Sequence, residues 1–219
     1  MSSTHLELLD KNRLAAFNAL KTFADEGTLA GGTALSLQIE HRHSFDFDVF
    51  LQREIKRKDF LKLKSVFEIE SVELSTADQL TVVTTNGINL TLLHYDYPPL
   101  FEKVLTLALP LYAVKDIALD KVFTIGRRAL WRDYVDLFFI LKLGFSRLSE
   151  LVELSPKKFG VEFNPKLFLE QLVFFKDLQI TKISFVKETH SPNEIQNFLE
   201  EQVKEFTRGA VVTYRSRRH

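Results

Sequence analysis

The sequence contains no cysteine, which excludes a disulfide framework and a thiolate metal site of the zinc-finger kind. It also lacks any excess of charge, since 29 Lys and Arg balance 29 Asp and Glu. A molecule of zero formal charge is not drawn as a whole onto nucleic acid or an anionic membrane, so any such binding must be local. Long hydrophobic runs are missing too. No stretch holds about 18 uncharged apolar residues, and the first ten residues show no basic segment leading into an apolar one, so neither a membrane span nor a signal peptide is expected. With cysteine absent as well, the expectation is a cytoplasmic protein. No internal repeat or low-complexity tract is visible.

What is present is the composition of a folded globular chain, 45% apolar and 26% charged over 219 residues. That length supports one full hydrophobic core plus a smaller appended region. Phenylalanine is abundant, with 20 residues, many in the C-terminal half, where they are expected to fill the cores between helices.

Leu6, Leu9, Leu14, Phe17, Leu20 and Phe23 recur near helical spacing and predict one amphipathic opening helix, ending at Gly27. Thr28-Leu29-Ala30 then runs into Gly31-Gly32-Thr33, and Ala34 to Glu40 reads as a helix, giving strand, glycine turn, helix. Phe45 to Phe50 alternates strictly, which predicts a strand with Phe45, Phe47 and Val49 on one face and Asp46 and Asp48 on the other. Lys56 to Val66 reads as a surface helix. Three strand-like runs follow, Phe67 to Leu74, Leu80 to Thr85 and Ile88 to Tyr95, with Asn86-Gly87 as a hairpin turn between the last two. Beyond Pro98-Pro99 the patterns are helical over Val114 to Arg127, Trp131 to Leu143, Leu148 to Leu154, Leu167 to Phe175 and Pro192 to Phe206. Ser155 to Pro165 reads as a loop, and the basic end from Tyr214 to His219 as a frayed tail.

Two carboxylates at i and i+2 of a strand share a face about 7 Å apart, close enough to hold one hard cation without crowding its waters. A glycine turn lets backbone approach an anion closely, and a helix starting there aims its free amides and positive dipole end at it. Twelve residues separate Thr33 from Asp46, enough for a short helix and a return loop, so both features can meet at one sheet edge. Taken singly, each has a plain structural reading: a tight turn for the glycines, a solvated strand face for the acids.

The run Leu29-Ala30-Gly31-Gly32-Thr33-Ala34-Leu35 with His41-Arg42-His43-Ser44-Phe45-Asp46-Phe47-Asp48-Val49-Phe50 resembles the signature of the AbiEii/AbiGii nucleotidyltransferase toxin family, within the DNA polymerase beta-type superfamily. Asp116-Ile117-Ala118-Leu119-Asp120-Lys121, then Arg127 and Arg132-Asp133-Tyr134-Val135-Asp136-Leu137, is similar to that family's later motifs. The resemblance implies an α+β nucleotidyltransferase fold, with a mixed β-sheet flanked by helices and a C-terminal helical region. It places the core at residues 1–110 and a helical region at 111–219 that packs on the core and completes the site. It implies a metal-dependent transferase moving a nucleoside monophosphate from an NTP to an acceptor, RNA such as tRNA first and protein second. Asp46 and Asp48 would be the catalytic acids and ligands of Mg2+, with Mn2+ as an alternative. Gly31, Gly32, Thr33, Arg42 and Ser44 would bind the nucleotide. Lys121 would neutralise a phosphate, and Asp136, or else Asp133, would orient Lys121 or assist the acceptor. A toxin-antitoxin pair is implied, with a cognate antitoxin as partner.

Other readings of the same residues stay open. Lys121 and Asp136 also fit a plain helix-helix ion pair. The wider superfamily supplies a third strand carboxylate, whereas the strand here reads Ile88-Asn89-Leu90-Thr91-Leu92-Leu93, leaving Asp96, Asp116 or Asp136 to approach from elsewhere. That departure supports an alternative, a catalytically idle fold that binds nucleotide or a partner. His41 and His43 beside the acids fit a transition-metal site. Arg42, Arg53, Lys56, Arg57 and Lys58 form either a solvated charged face or a contact for RNA backbone.

Overall fold

The computed structural model describes residues 4–128 and 130–216, with side chains through 209. They fall into two units, Met1–Ile117 with Phe185–Lys187, and Ala118–Ser184 with Glu188–His219.

The opening amphipathic segment is not a single helix. The Asp10 carboxylate accepts the Arg13 amide at 2.9 Å, an N-cap worth about 1 kcal/mol that fixes the start of α1, Lys11–Ala19. Tight 3-10 turns flank it at Leu6–Leu8 and Leu20–Phe23, and Leu9 between the first turn and the cap is extended. The apolar spacing still does what it predicts, because Phe17, Leu20 and Phe23 are fully buried. Each such side chain contributes roughly 1.5–3 kcal/mol by leaving water.

The rest of the first unit is β1 (Gly27–Ala30), α2 (Gly31–Ile39), β2 (Phe47–Leu51), α3 (Arg57–Lys64), β3 (Ile69–Ser75), β4 (Gln79–Thr84) and β5 (Asn89–His94). The strands form one mixed sheet in the order β1-β2-β5-β4-β3. β2 and β5 run parallel and the other neighbours antiparallel. The Asn86-Gly87 turn closes the β4-β5 hairpin, with Gly87 at φ +69° and its amide donating to the Thr84 carbonyl at 2.8 Å. The free edge of β1 is covered: the Leu29 amide donates to Pro110 and the Leu29 carbonyl accepts from Tyr112.

Alternation sorts the sheet's two faces. Phe47, Val49 and Leu51 of β2, Leu90 and Leu92 of β5 and Leu80 and Val82 of β4 are buried on one face. Phe17 stacks on Phe47 there, and α3 lies on the same side, with the Lys62 ammonium 4.6 Å from the Phe23 ring. The opposite face carries Asp48, Thr91 and Thr81 in one cross-strand row. Phe45 departs from the expected register. It precedes the strand and is 45% exposed, its ring covered by the Arg13 guanidinium at 4.4 Å and stacked on His43. The alternation breaks because the chain is still in the loop from α2 until Phe47 enters the ladder.

The anchor of α3 is electrostatic. Arg53 donates to Glu26 at 2.7 Å and to both oxygens of the buried Asp59 at 2.7 and 2.8 Å. Burial alone would raise the Asp59 carboxyl, but the Arg53 guanidinium and the Lys56 amide outweigh it and hold it below the usual range. The hydrogen bond from Arg53 does the same for Glu26.

The second unit is helical: the end of α4 (Val114–Ile125), α5 (Trp131–Lys142), α6 (Leu148–Phe159), α7 (Pro165–Leu172) and α8 (Pro192–Ser216). Phenylalanines pack between these helices as expected, with Phe123 stacked on Phe159 at 4.1 Å and Phe138 against Phe198 at 5.0 Å. The loop expected from Ser155 is instead the last turn of α6 and a 3-10 turn, Gly160–Glu162. Pro156 removes one donor there, yet burial of Phe159 and the pairing of Lys158 with Asp120 at 2.7 Å keep the chain helical until Gly160, at φ +56°, ends it. Helix α8 runs past Phe206 to Ser216, so Tyr214 to Ser216 are not a frayed tail, and residues 217–219 lie outside the described residues. Among the described residues no helix is long and apolar enough to cross a membrane.

Candidate active site

The glycines enter α2 three residues earlier than the sequence predicts. Gly31 is its first residue and takes φ +68°, a conformation that only glycine adopts without strain. Ala30, the last residue of β1, pairs with Asp48, so the chain turns into the helix directly beside that acid. A Cβ on Gly31 would lie 2.7 Å from Asp48 Oδ2, and one on Gly32 would lie 2.4 Å from an Arg42 guanidinium nitrogen and 3.0 Å from Ser44 Oγ. The missing side chains let Asp48 pack directly against Gly31, and Arg42 and Ser44 against Gly32, so the first turn of α2 is a cradle edged by a carboxylate on one side and by a guanidinium and a hydroxyl on the other.

Thr33, in the first turn of α2, ties this cradle to the strand. Its hydroxyl lies 3.0 Å from Ser44 Oγ and donates to the backbone carbonyl of Asp46. Asp46 sits one residue before β2 and Asp48 within it. The Asp46 carboxylate accepts from Asn89 Nδ2 of β5 at 3.0 Å. Thr33 and Arg42 are buried, whereas Ser44, Asp46 and Asp48 keep partial access to solvent. The first unit thus brings Gly31, Gly32, Thr33, Arg42, Ser44, Asp46 and Asp48 together at one end of β1 and β2. Two carboxylates that keep partial access to solvent are a donor set that Mg2+ takes when phosphates and water supply the remaining ligands. Their chemistry and the glycine cradle fit such an ion.

Lys121 and Asp136 belong to the second unit, in α4 and α5. The Lys121 ammonium contacts Asp136 Oδ2 at 2.6 Å and Asp133 Oδ1 at 2.6 Å, with all three side chains nearly or fully buried. Asp133 thus shares the lysine equally with Asp136. Spacing places both acids on one face of a helix, which is the signal that indicates the pair.

Several other expectations change. Asp116 accepts the Leu100 and Phe101 amides at 2.8 and 2.9 Å, so it caps a loop and does not replace the absent strand acid. Asp96 pairs with His94 at 3.0 Å. The supposed basic group divides: Arg42 lines the glycine cradle, Arg53 is neutralised by Glu26 and Asp59, and Lys56, Arg57 and Lys58 begin α3 on the face opposite Asp48. His41 is buried and its carbonyl accepts the Val186 amide, while His43 stacks on Phe45. Among the described residues the one cluster with three potential metal ligands is elsewhere, at His5, Glu7 and Glu40. There the two carboxylates face different nitrogens of the His5 ring, and Lys187 already pairs with Glu40.

Sequence reasoning missed the bridge between Arg42 and Phe185, by which residues 185–187 join the first unit beside the site loop. No local periodicity signals a contact across more than 140 residues.

Comparison with known proteins agrees with this geometry. The pattern of the family described as nucleotidyl transferase AbiEii toxin, type IV TA system, matches residues 79–211, more than half the chain; that span includes Lys121, Asp133 and Asp136 but begins after the glycine turn and the paired acids. An uncharacterized protein of Aquifex aeolicus (strain VF5) is 31% identical over 184 residues, covering 81% of this chain and 86% of its own. Among solved structures, JHP933 from Helicobacter pylori superposes with a TM-score of 0.57 at 16% identity, covering 95% of this chain and 97% of that one. MenT4, a nucleotidyltransferase toxin from Mycobacterium tuberculosis H37Rv, gives 0.56 at 16% identity, covering 91% and 86%. These two likenesses establish the fold, and the family pattern and the Aquifex relative establish kinship: the chain belongs to the AbiEii family of nucleotidyltransferase toxins of type IV toxin-antitoxin systems.

Proposed function

We propose that this protein transfers a nucleoside monophosphate from an NTP to an RNA acceptor such as tRNA, using Mg2+ or Mn2+ held by Asp46 and Asp48. The observation that carries the proposal is the meeting of the first turn of α2 with the two acids, because a triphosphate needs an anion cradle and a cation within reach of each other. Gly31 and Gly32 let the phosphate chain approach the free amides of α2, and Arg42 and Ser44 offer a cation and a hydroxyl at its flank. The divalent ion supplies charge neutralisation at the phosphate oxygens. The acceptor hydroxyl oxygen forms a bond to the α-phosphorus, the bond from that phosphorus to the bridging oxygen breaks, pyrophosphate departs, and the hydroxyl proton passes to solvent.

Lys121 is assigned the neutralisation of a phosphate, with Asp133 and Asp136 holding its ammonium in place. On this reading residues 1–110 carry the nucleotide and metal groups and 111–219 contribute Lys121 and Asp136. The setting proposed is cytoplasmic, with a cognate antitoxin protein as partner.

A second reading is favoured by one observation, the uncharged Asn89 and Thr91 beside the acids: a catalytically idle protein that binds nucleotide. The two separate in one experiment. Purified protein is incubated with each labelled NTP, Mg2+ or Mn2+, and total RNA or a protein fraction. The proposal expects label on RNA with at least one NTP. Label on protein alone would overturn the acceptor, and NTP binding without transfer to either fraction would leave the idle reading.

A further inference from the structure

We infer that Asn89 is a positioning residue for Asp46, and that it makes the site a two-carboxylate centre for a single divalent cation. The inference rests on the proposed metal role of Asp46 and Asp48 and goes beyond it by naming what sets the number of ions held.

The register between β2 and β5 places Thr91 opposite Asp48 and Leu90 opposite Phe47, so Asn89 is level with Asp46. These are the two β5 positions on the acidic face beside the acids, and neither can ionise. An ionised carboxylate only accepts hydrogen bonds, so the amide must present its nitrogen to Asp46, as it does at 3.0 Å from Oδ1. Thr33 holds the backbone carbonyl of the same residue. Asp46 is therefore fixed at both ends, its main chain by the first turn of α2 and its side chain by β5. Among the described residues, Asn89 is the restraint seen on this carboxylate, which lies just outside the ladder.

Thr91 completes the picture. Its hydroxyl lies 3.3 Å from Thr81 Oγ1, directed along the sheet. A carboxylate at position 89 or 91 would bring a third negative charge and a further ionic ligand, which favours a second ion about 3.5–4 Å from the first. An amide nitrogen donates and offers no lone pair to a cation. Two carboxylates, Asp46 and Asp48, offer at most two negative charges to a cation, which match one divalent ion.

Manganese titration followed by electron paramagnetic resonance tests this on the full chain without nucleotide, with the Asp46→Asn, Asp48→Asn double variant giving the background of surface binding. Wild type is expected to hold one uncoupled Mn2+ above that background. Asn89→Ala should keep the same stoichiometry with roughly tenfold weaker affinity, the usual effect of removing an outer-shell partner of a metal ligand. Asn89→Asp should bind a second ion and show the spin coupling of two ions in close contact. Two coupled ions in wild type, no binding above background, or an Asn89→Ala variant that binds as tightly as wild type would each overturn the inference. Failure of the transfer reading shows separately, as absent label on RNA while the single manganese site is intact.

Discussion

At the scale of single residues, the position with the narrowest tolerance is Gly31. Its φ of +68° strains ordinary side chains, and a Cβ would meet Asp48 Oδ2 at 2.7 Å, so backbone strain and pressure on that acid add at one position. Gly31→Ala is expected to cost about 1–2 kcal/mol of stability from the left-handed backbone alone and to reduce transfer further by displacing the carboxylate. Thermal melting and a transfer assay on the variant check both effects. Unchanged activity with lowered stability would show that the glycine serves the turn and not the site. Gly32 differs, because the atom its Cβ would meet is the end of the Arg42 side chain, held by a hydrogen bond to the His43 carbonyl at 3.1 Å. Alternation made Asp48 legible from the sequence, since period two puts it on the face opposite buried Phe47 and Val49, whereas Asp46, one residue before β2, is placed by the loop from α2. Asn89 was legible as a missing acid, but not as the donor to Asp46, because its partner is set by the parallel pairing of strands and lies 43 residues away.

At the scale of elements, α3 is anchored by charges. Glu26 and Asp59 are both held below their ordinary values, so the stability they confer is complete above the usual carboxylate range and is lost as pH falls through their lowered values. Asp59→Asn leaves the Arg53 guanidinium short of one charge partner and is expected to cost about 2 kcal/mol at pH 7. Melting curves of wild type and variant should converge as pH drops below about 4. A gap that stays constant down to pH 3 would mean that packing, not charge, supports α3. In the second unit, Lys121 lies between two buried carboxylates, and Lys121→Met would strand both. A loss of about 3–5 kcal/mol is expected from removing the cation of a buried cluster, read as a fall in melting temperature. Little change in melting temperature would show that the lysine is not needed to hold α4 against α5. Period and turn chemistry located most elements, among them the Asn86-Gly87 hairpin and the strand-turn-helix at Gly31. They failed at α6, where a proline reads locally as a break while burial of Phe159 beneath Phe123 continues the helix. They failed also at the first helix, where the Asp10 cap interrupts an otherwise continuous apolar pattern.

At the scale of the whole molecule, zero net charge means that binding of the proposed RNA acceptor would have to come from a local cluster rather than the overall field. Lys56, Arg57 and Lys58 lie on the sheet face away from Asp48, so contact with the acceptor at the reaction centre falls to other groups. The proposed transfer depends above all on Asp46 and Asp48. The most direct measurement compares nucleotide transfer and melting temperature for wild type, Asp46→Asn and Asp48→Asn, with and without Mg2+. Asparagine preserves size while deleting a charge proposed to hold the cation against the triphosphate, so each variant is expected to lose roughly a hundredfold or more in transfer. Melting temperature without Mg2+ should stay level or rise, because one of two neighbouring like charges is gone. Equal transfer by all three proteins, or a large fall in melting temperature without Mg2+, would contradict the account.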